Sequence, residues 1–179
     1  MDDLLQIQIA TRQGWQNLRQ VRLVGNHSEG LNAATEFVYD IDYAIKYAER
    51  NDDRAASVAH PVTMVPVTLD SWPAFLLDLF PQGAALQYVV DHYRIADQPA
   101  NYWRILQTAR LNPPGNLRIK IQGQHDQSYE QTRDSKHSGF DKSEVIAKGP
   151  DFLEYMITHG APVAGTTGAG GAAPKFLLR

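Results

Sequence analysis

The chain of 179 residues contains no cysteine. That excludes a disulfide framework and any thiolate metal site, and it fits a reducing compartment. No apolar run approaches the ~20 residues that a membrane-spanning helix needs. The first residues, Met1-Asp2-Asp3-Leu4, are acidic, where a secretory leader begins with a basic segment. A soluble, cytoplasmic protein is expected. Positive charge is not in excess either. A net charge of −3 and a pI near 6.0 lack the basic footprint of nucleic-acid binding. Neither a nucleic acid nor a membrane is expected as a direct partner. The six histidines are scattered, with no His-x-x-x-His or His-Glu-x-x-His spacing to put two imidazoles on one helical face. No metal site is expected, and no serine stands in a nucleophile elbow.

What the chain does have is the composition of a folded protein: 43% hydrophobic and 21% charged residues, over a length that suits one domain or two small subdomains. Leu5, Ile7 and Ile9 alternate with polar residues and predict a strand. Gly14 predicts a turn. Trp15 to Val24 has a mixed pattern, a strand or a short helix, and 25–30 has the composition of a loop. Glu36 to Tyr43 alternates again, which would align Phe37, Tyr39, Ile41 and Tyr43 on one face if extended throughout; Ile41 to Tyr47 also fits the start of a helix. In Val62 to Leu69, Pro66 predicts an edge strand or bulge. Ser71 and Pro73 mark a helix start, with Ser71 as the N-cap candidate. Further helices are predicted from Ala84 to about Tyr93 and from Pro99 to about Leu111, then a strand over Asn116 to Gln122. Residues 123–142 form a polar loop, and a last helix runs from Gly149 or Pro150 to His159. Strands followed by helices, with no regular alternation, predict an α+β fold. The expected organisation is a β-rich N-terminal unit over 1–122, the polar loop 123–142, and a final unit over 143–179.

The feature richest in chemistry is the stretch 160–179, which holds Gly165, Gly168, Gly170 and Gly171 and ends in Phe176-Leu177-Leu178-Arg179. Glycine lets backbone N–H groups close on phosphate because no Cβ blocks the approach. Gly165 and Gly170 have the P-loop spacing, but Gly171-Ala172 stand where Lys-Ser/Thr must follow. Gly168 to Ala173 matches the dinucleotide fingerprint in outline, without the strand before it or the acidic residue ~20 positions on. A strand-loop-strand cover over phosphates fits better, with Lys175 placed to balance charge and Thr166 and Thr167 offering hydroxyls. Asp40 and Asp42 would share a face in an extended segment, in the manner of a metal-binding pair; Asp40 as a turn former is the better reading. Asp151 and Glu154 suit a helix dipole, and Trp72, Phe75 and Trp103 suit a core. The same glycine/alanine composition also serves flexible linkers.

The loop Gly170-Gly171-Ala172-Ala173-Pro174-Lys175-Phe176-Leu177-Leu178 resembles the glycine-rich loop of HipA-like serine/threonine kinases, the toxins of bacterial toxin–antitoxin systems. Three upstream segments resemble that family in the same order: Phe37-Val38-Tyr39-Asp40, Trp72 to Gly83, and Ile105 to Leu117. Together they span about residues 4–178. The resemblance implies a β-rich N-terminal subdomain leading into the start of a kinase-like N-lobe. It implies ATP and Mg²⁺ as cofactors of the parent protein, phosphoryl transfer to a protein Ser or Thr (possible targets in the family include aminoacyl-tRNA synthetases), and a helix-turn-helix antitoxin as partner. The nucleotide-covering residues it implies are Thr166, Thr167, Gly168, Gly170, Gly171, Ala172 and Lys175. Two departures stand out. Gly168 occupies the position where many members carry a regulatory serine, which leaves Thr166 and Thr167 as phosphorylation candidates. The family's ATP-contacting lysine, catalytic aspartate and metal-binding aspartate lie beyond the loop, so the chain alone holds no catalytic residue and is expected to be inactive and to bind no nucleotide stably.

The sequence therefore poses two main alternatives: the N-terminal portion of such a kinase, or a stand-alone, non-catalytic module that docks on or neutralises a partner kinase. An open reading frame past the Arg179 codon favours the first, and a stop codon the second. A third reading, a small α+β binding protein with a glycine tail, predicts disorder over 160–179 even beside an ATP analogue.

Overall fold

A computed structural model describes residues 3–108 and 115–120, together with Ser143, Ile146 and Ala147, whose backbone is helical. The fold is α+β, built on a five-stranded antiparallel sheet of order β4-β3-β2-β1-β5. The strands are β1 (Leu4–Thr11), β2 (Gly14–Leu23), β3 (Thr35–Tyr39), β4 (Val67–Leu69) and β5 (Leu117–Lys120). The helices are α1 (Ile41–Tyr47), α2 (Ala74–Leu79), α3 (Ala84–Tyr93) and α4 (Tyr102–Thr108). Short 3₁₀ segments at His27–Asn32 and Pro99–Asn101 complete it. The expected polar loop 123–142, the helix expected to end at His159 and the glycine-rich loop lie outside the described residues.

β1 and β2 form a hairpin whose turn is held by Thr11 Oγ1 donating to the Gly14 carbonyl at 2.7 Å. Gly14, at φ 107°, adopts a conformation open to glycine and strained for other residues. The register then slips: Ile7 faces Arg19, but Gln8 faces Asn17, so Leu18 has no partner on β1. This β-bulge puts two neighbouring residues, Leu18 and Arg19, both into the buried interior. Beyond it the alternation is regular, with Val21 and Leu23 buried between exposed Gln20 and Arg22.

The extended reading of Glu36 to Tyr43 stops at Tyr39. The Asp40 carboxylate accepts from the backbone N–H groups of Asp42 and Tyr43, at 3.2 and 3.3 Å, and caps α1. The change of period from two to 3.6 carries Ile41 out to 59% exposure while Tyr43 stays buried. At α2 the expected Ser71 cap is not formed. Pro73 takes the cap position, with no side-chain bond, and the Ser71 carbonyl accepts from Thr35 Oγ1 at 2.9 Å, tying β3 to the approach of α2. β4 is the short edge strand that Pro66 foretold. The predicted helix from Pro99 begins as a 3₁₀ turn and continues as α4.

A single core joins the sheet's inner face to the helices. Leu5, Ile7, Ile9, Val21, Phe37 and Leu117 belong to it with Phe75 and Leu76 of α2, Val89 of α3, and Trp103, Ile105 and Leu106 of α4. Trp72 and Trp103 meet edge to face at 5.3 Å, a geometry that aligns the positive edge of one ring with the negative face of the other.

Gly30 closes the junction between the two 3₁₀ segments. Its φ is 58°, and a Cβ there would sit 2.8 Å from Pro99 Cβ. Gly30→Ala is expected to cost about 1–3 kcal/mol, since backbone strain and steric overlap add. Gly115→Ala, with nothing within 4 Å of the new Cβ, should change stability by no more than about 0.5 kcal/mol. Urea denaturation of the two variants checks the contrast.

Candidate functional site

The nucleotide-covering candidates Thr166, Thr167, Gly168, Gly170, Gly171, Ala172 and Lys175 lie outside the described residues, as do Asp151 and Glu154. Asp40 is a helix cap, and Trp72, Phe75 and Trp103 are core residues. Among the described residues no group of three His, Asp or Glu side chains is placed to hold a metal ion. Among them, too, no helix is long and apolar enough to cross a membrane.

What the fold does assemble is a cation enclosed by rings. Arg19 of β2 is 0% exposed. The register sets Tyr39 of β3 directly opposite it, and Phe37 lies two residues along the same face. Phe75 approaches from α2. The guanidinium carbon stands 3.9 Å from the Tyr39 ring centroid, 4.3 Å from Phe37 and 4.6 Å from Phe75. His60, from the long connection between α1 and β4, packs edge-on against Phe37 at 5.0 Å and faces Phe75 at 6.4 Å. Tyr39 fastens that connection: its hydroxyl donates to the His60 carbonyl at 2.6 Å and accepts from the Ala56 N–H at 3.2 Å. Next to it the Tyr43 hydroxyl donates to the Arg54 carbonyl at 2.8 Å.

The electrostatics are unusual. None of the three Arg19 nitrogens has a hydrogen-bond partner among the described residues. Burial pulls the guanidinium pKa down to about 10, opposed by the neighbouring Tyr39, so the group is still charged at neutral pH. Contact with aromatic faces offsets part of the desolvation cost, about 2 kcal/mol or more for a buried pair. A buried charged donor left unbonded costs more than the 1–3 kcal/mol of a neutral one. The rings alone do not satisfy the in-plane N–H groups. Burial also drives the neighbouring Tyr43 up to about 12, with Tyr47 and Tyr39 adding to the effect, so that phenol is neutral at neutral pH.

The other face of the sheet gives the contrast. Arg118 of β5 lies 4.4 Å over the Trp15 ring, but its Nε donates to Gln8 Oε1 at 2.8 Å. The Gln8 amide in turn donates to Asn17 Oδ1 at 3.0 Å. That arginine is bonded as a buried charge normally is; among the described residues Arg19 is not.

The sequence did not single out Arg19, and it placed His60 with the other histidines as surface or loop residues; His60 does lie on a connection, half-exposed. The available signal was phase: Arg19 shares the inward period of Val21 and Leu23. Leu18, out of phase because of the bulge, masked it. No family model, curated protein or solved structure matches the chain.

Burial first, and the Arg19 charge second, hold the His60 imidazole below its ordinary value. The unfolded chain, with a histidine pKa near ~6.5, therefore takes up a proton that the folded chain resists. This contribution to stability is complete above about pH 6.5 and is lost as the pH falls through the lower folded value. The urea midpoint of the parent chain should drop more steeply on acidification from about pH 8 to about pH 5 than that of His60→Gln. Equal slopes would contradict the placement of His60.

Proposed function

We propose that the chain carries the N-terminal β-rich subdomain and the phosphate-covering loop of an ATP-dependent protein serine/threonine kinase of HipA type. The observation that supports this reading most is the meeting of its motifs. Phe37-Val38-Tyr39-Asp40 forms β3 and the cap of α1, and Trp72 to Gly83 forms α2 with its flanking turns. These segments touch through Phe37 and Phe75, whose rings are edge to face at 5.9 Å. Ile105, Leu106 and Leu117, from the third matched segment, enter the same core. The segments that resemble the family are thus parts of one packed unit, in keeping with the shared fold that the resemblance implies.

On this reading the parent protein binds ATP with Mg²⁺ and transfers the γ-phosphoryl group to a Ser or Thr of a protein substrate, an aminoacyl-tRNA synthetase being one candidate class. A helix-turn-helix antitoxin is its expected partner. Gly168, Gly170, Gly171 and Ala172 let the loop backbone approach the phosphates, Lys175 adds positive charge, and Thr166 or Thr167 takes the regulatory role that Gly168 cannot.

A second reading, a non-catalytic module that docks on or neutralises a kinase, draws support from Ile41 and Ile45. These stand one turn apart on α1 at 59% and 66% exposure, an apolar pair on water.

The test compares this chain with the polypeptide extended by the coding sequence that follows Arg179, each incubated with γ-labelled ATP and Mg²⁺. The extended protein should incorporate label on Ser or Thr, and Gly171→Val should reduce that incorporation about tenfold or more by blocking the phosphates. This chain alone should incorporate none. Absence of both ATP binding and labelling in the extended protein would overturn the kinase reading.

A further inference from the structure

We propose that the box around Arg19 is a binding site for a small monocarboxylate, with the connection between α1 and β4 as its lid. This is independent of the kinase reading: Phe37, Tyr39 and Phe75 serve both, but the proposal stands on Arg19, which that reading does not use.

Three observations combine. First, Arg19 presents a full set of guanidinium donors, fully buried and unpartnered among the described residues. A carboxylate is the planar anion that such a fork bonds bidentately. Second, the charge balance fits one negative charge and no more. Arg19 is the one cation among these groups at neutral pH; Phe37 and Phe75 carry no titratable group, the Tyr39 hydroxyl serves as a donor to the His60 carbonyl, and His60 is held toward its neutral form. A phosphate dianion would leave a net charge buried against three rings, whereas a monoanion leaves none. The rings also provide an apolar wall for a short hydrocarbon tail.

Third, the cover is built to move. Residues 48–66 join α1 to β4 with one isolated β-bridge, Ser57 to His60, and connections beyond ~12–15 residues without elements of their own are usually functional. Val58, Met64 and Val65 of this connection point apolar side chains into water, so much of it contributes little to the core. It is pinned at defined points: the Tyr39 hydroxyl to His60 and Ala56, the Tyr43 hydroxyl to Arg54, and the backbone pair Glu49 N–H to Val62 and Val62 N–H to Arg50. Of the rings around Arg19, Phe37, Tyr39 and Phe75 are buried and His60 is half-exposed. The route from guanidinium to solvent therefore runs past His60. Among the described residues, swinging that side chain out breaks no hydrogen bond of its ring: Tyr39 holds the His60 backbone and not the imidazole.

The experiment titrates the whole chain with sodium acetate, against sodium chloride at equal ionic strength. It follows the Arg19 Nε–H and His60 ring resonances by NMR and the melting temperature in parallel. Acetate should shift both resonances along one saturating curve and raise the melting temperature with concentration, as mass action on the folded state requires. Arg19→Met, which keeps a flexible side chain between the rings, should weaken acetate binding about tenfold or more. Should that variant fail to fold, the saturable shifts in the parent chain decide alone. Shifts that do not saturate, or no shift at all, would overturn the proposal. An equal response to chloride would overturn the assignment to a carboxylate.

Discussion

A guanidinium enclosed by Phe37, Tyr39 and Phe75 is the contact on which the other parts of this fold converge. Arg19 comes from the middle of the sheet, two of the rings from the neighbouring strand and the third from α2. Tyr39 passes the connection on to His60 and Ala56, and so fixes the segment between α1 and β4. Arg19 takes its inward phase from the regular register of β2 with β3, and the bulge brings its neighbour Leu18 inward as well. A regular register would send Leu18 and Arg19 to opposite faces, since side chains alternate along a strand. The extra residue lets both be buried. Aromatic faces are the one apolar surface that also attracts a cation, so the same rings that exclude water from Arg19 compensate part of its charge.

The two buried arginines of the sheet show what compensation requires. Arg118 combines a ring with a hydrogen bond into a polar chain of Gln8 and Asn17. Arg19 has the rings and, among the described residues, lacks the hydrogen bonds. Buried charges with unused donors are rare because each costs free energy that a small domain cannot spare. The site is therefore more economically read as half of a pair, with the other half arriving from outside the described residues as a ligand.

The period-two alternation of β1 and the edge character of β4 were legible because both depend on local pattern and on the backbone chemistry of Pro66. The helix at 84–93 was legible for the same reason. The end of β3 was ambiguous: Phe37, Tyr39, Ile41 and Tyr43 fit a strand, and only the capping geometry of Asp40 decides that the period changes there. Ser71 was misjudged because its carbonyl, not its hydroxyl, is used in the fold. Arg19 was hidden more deeply. Burial of a charge depends on Phe75, which is distant in sequence, and the bulge at Leu18 blurs the alternation that carries Arg19 inward. The glycine-rich loop presents the reverse case, since its chemistry is read from sequence and its geometry lies beyond the described residues. The kinase reading accordingly rests on the matched segments and on the contact between Phe37 and Phe75, and the carboxylate site rests on packing.

The most direct test of this account is a double-mutant cycle between Arg19 and Phe75, built from Arg19→Met, Phe75→Leu and the double variant, with unfolding free energies measured in urea. A guanidinium that couples sheet to helix through the ring predicts a favourable coupling energy of about 0.5–2 kcal/mol. Effects that add to within about 0.3 kcal/mol would show that the two side chains merely share a core, and would contradict the central place given to Arg19.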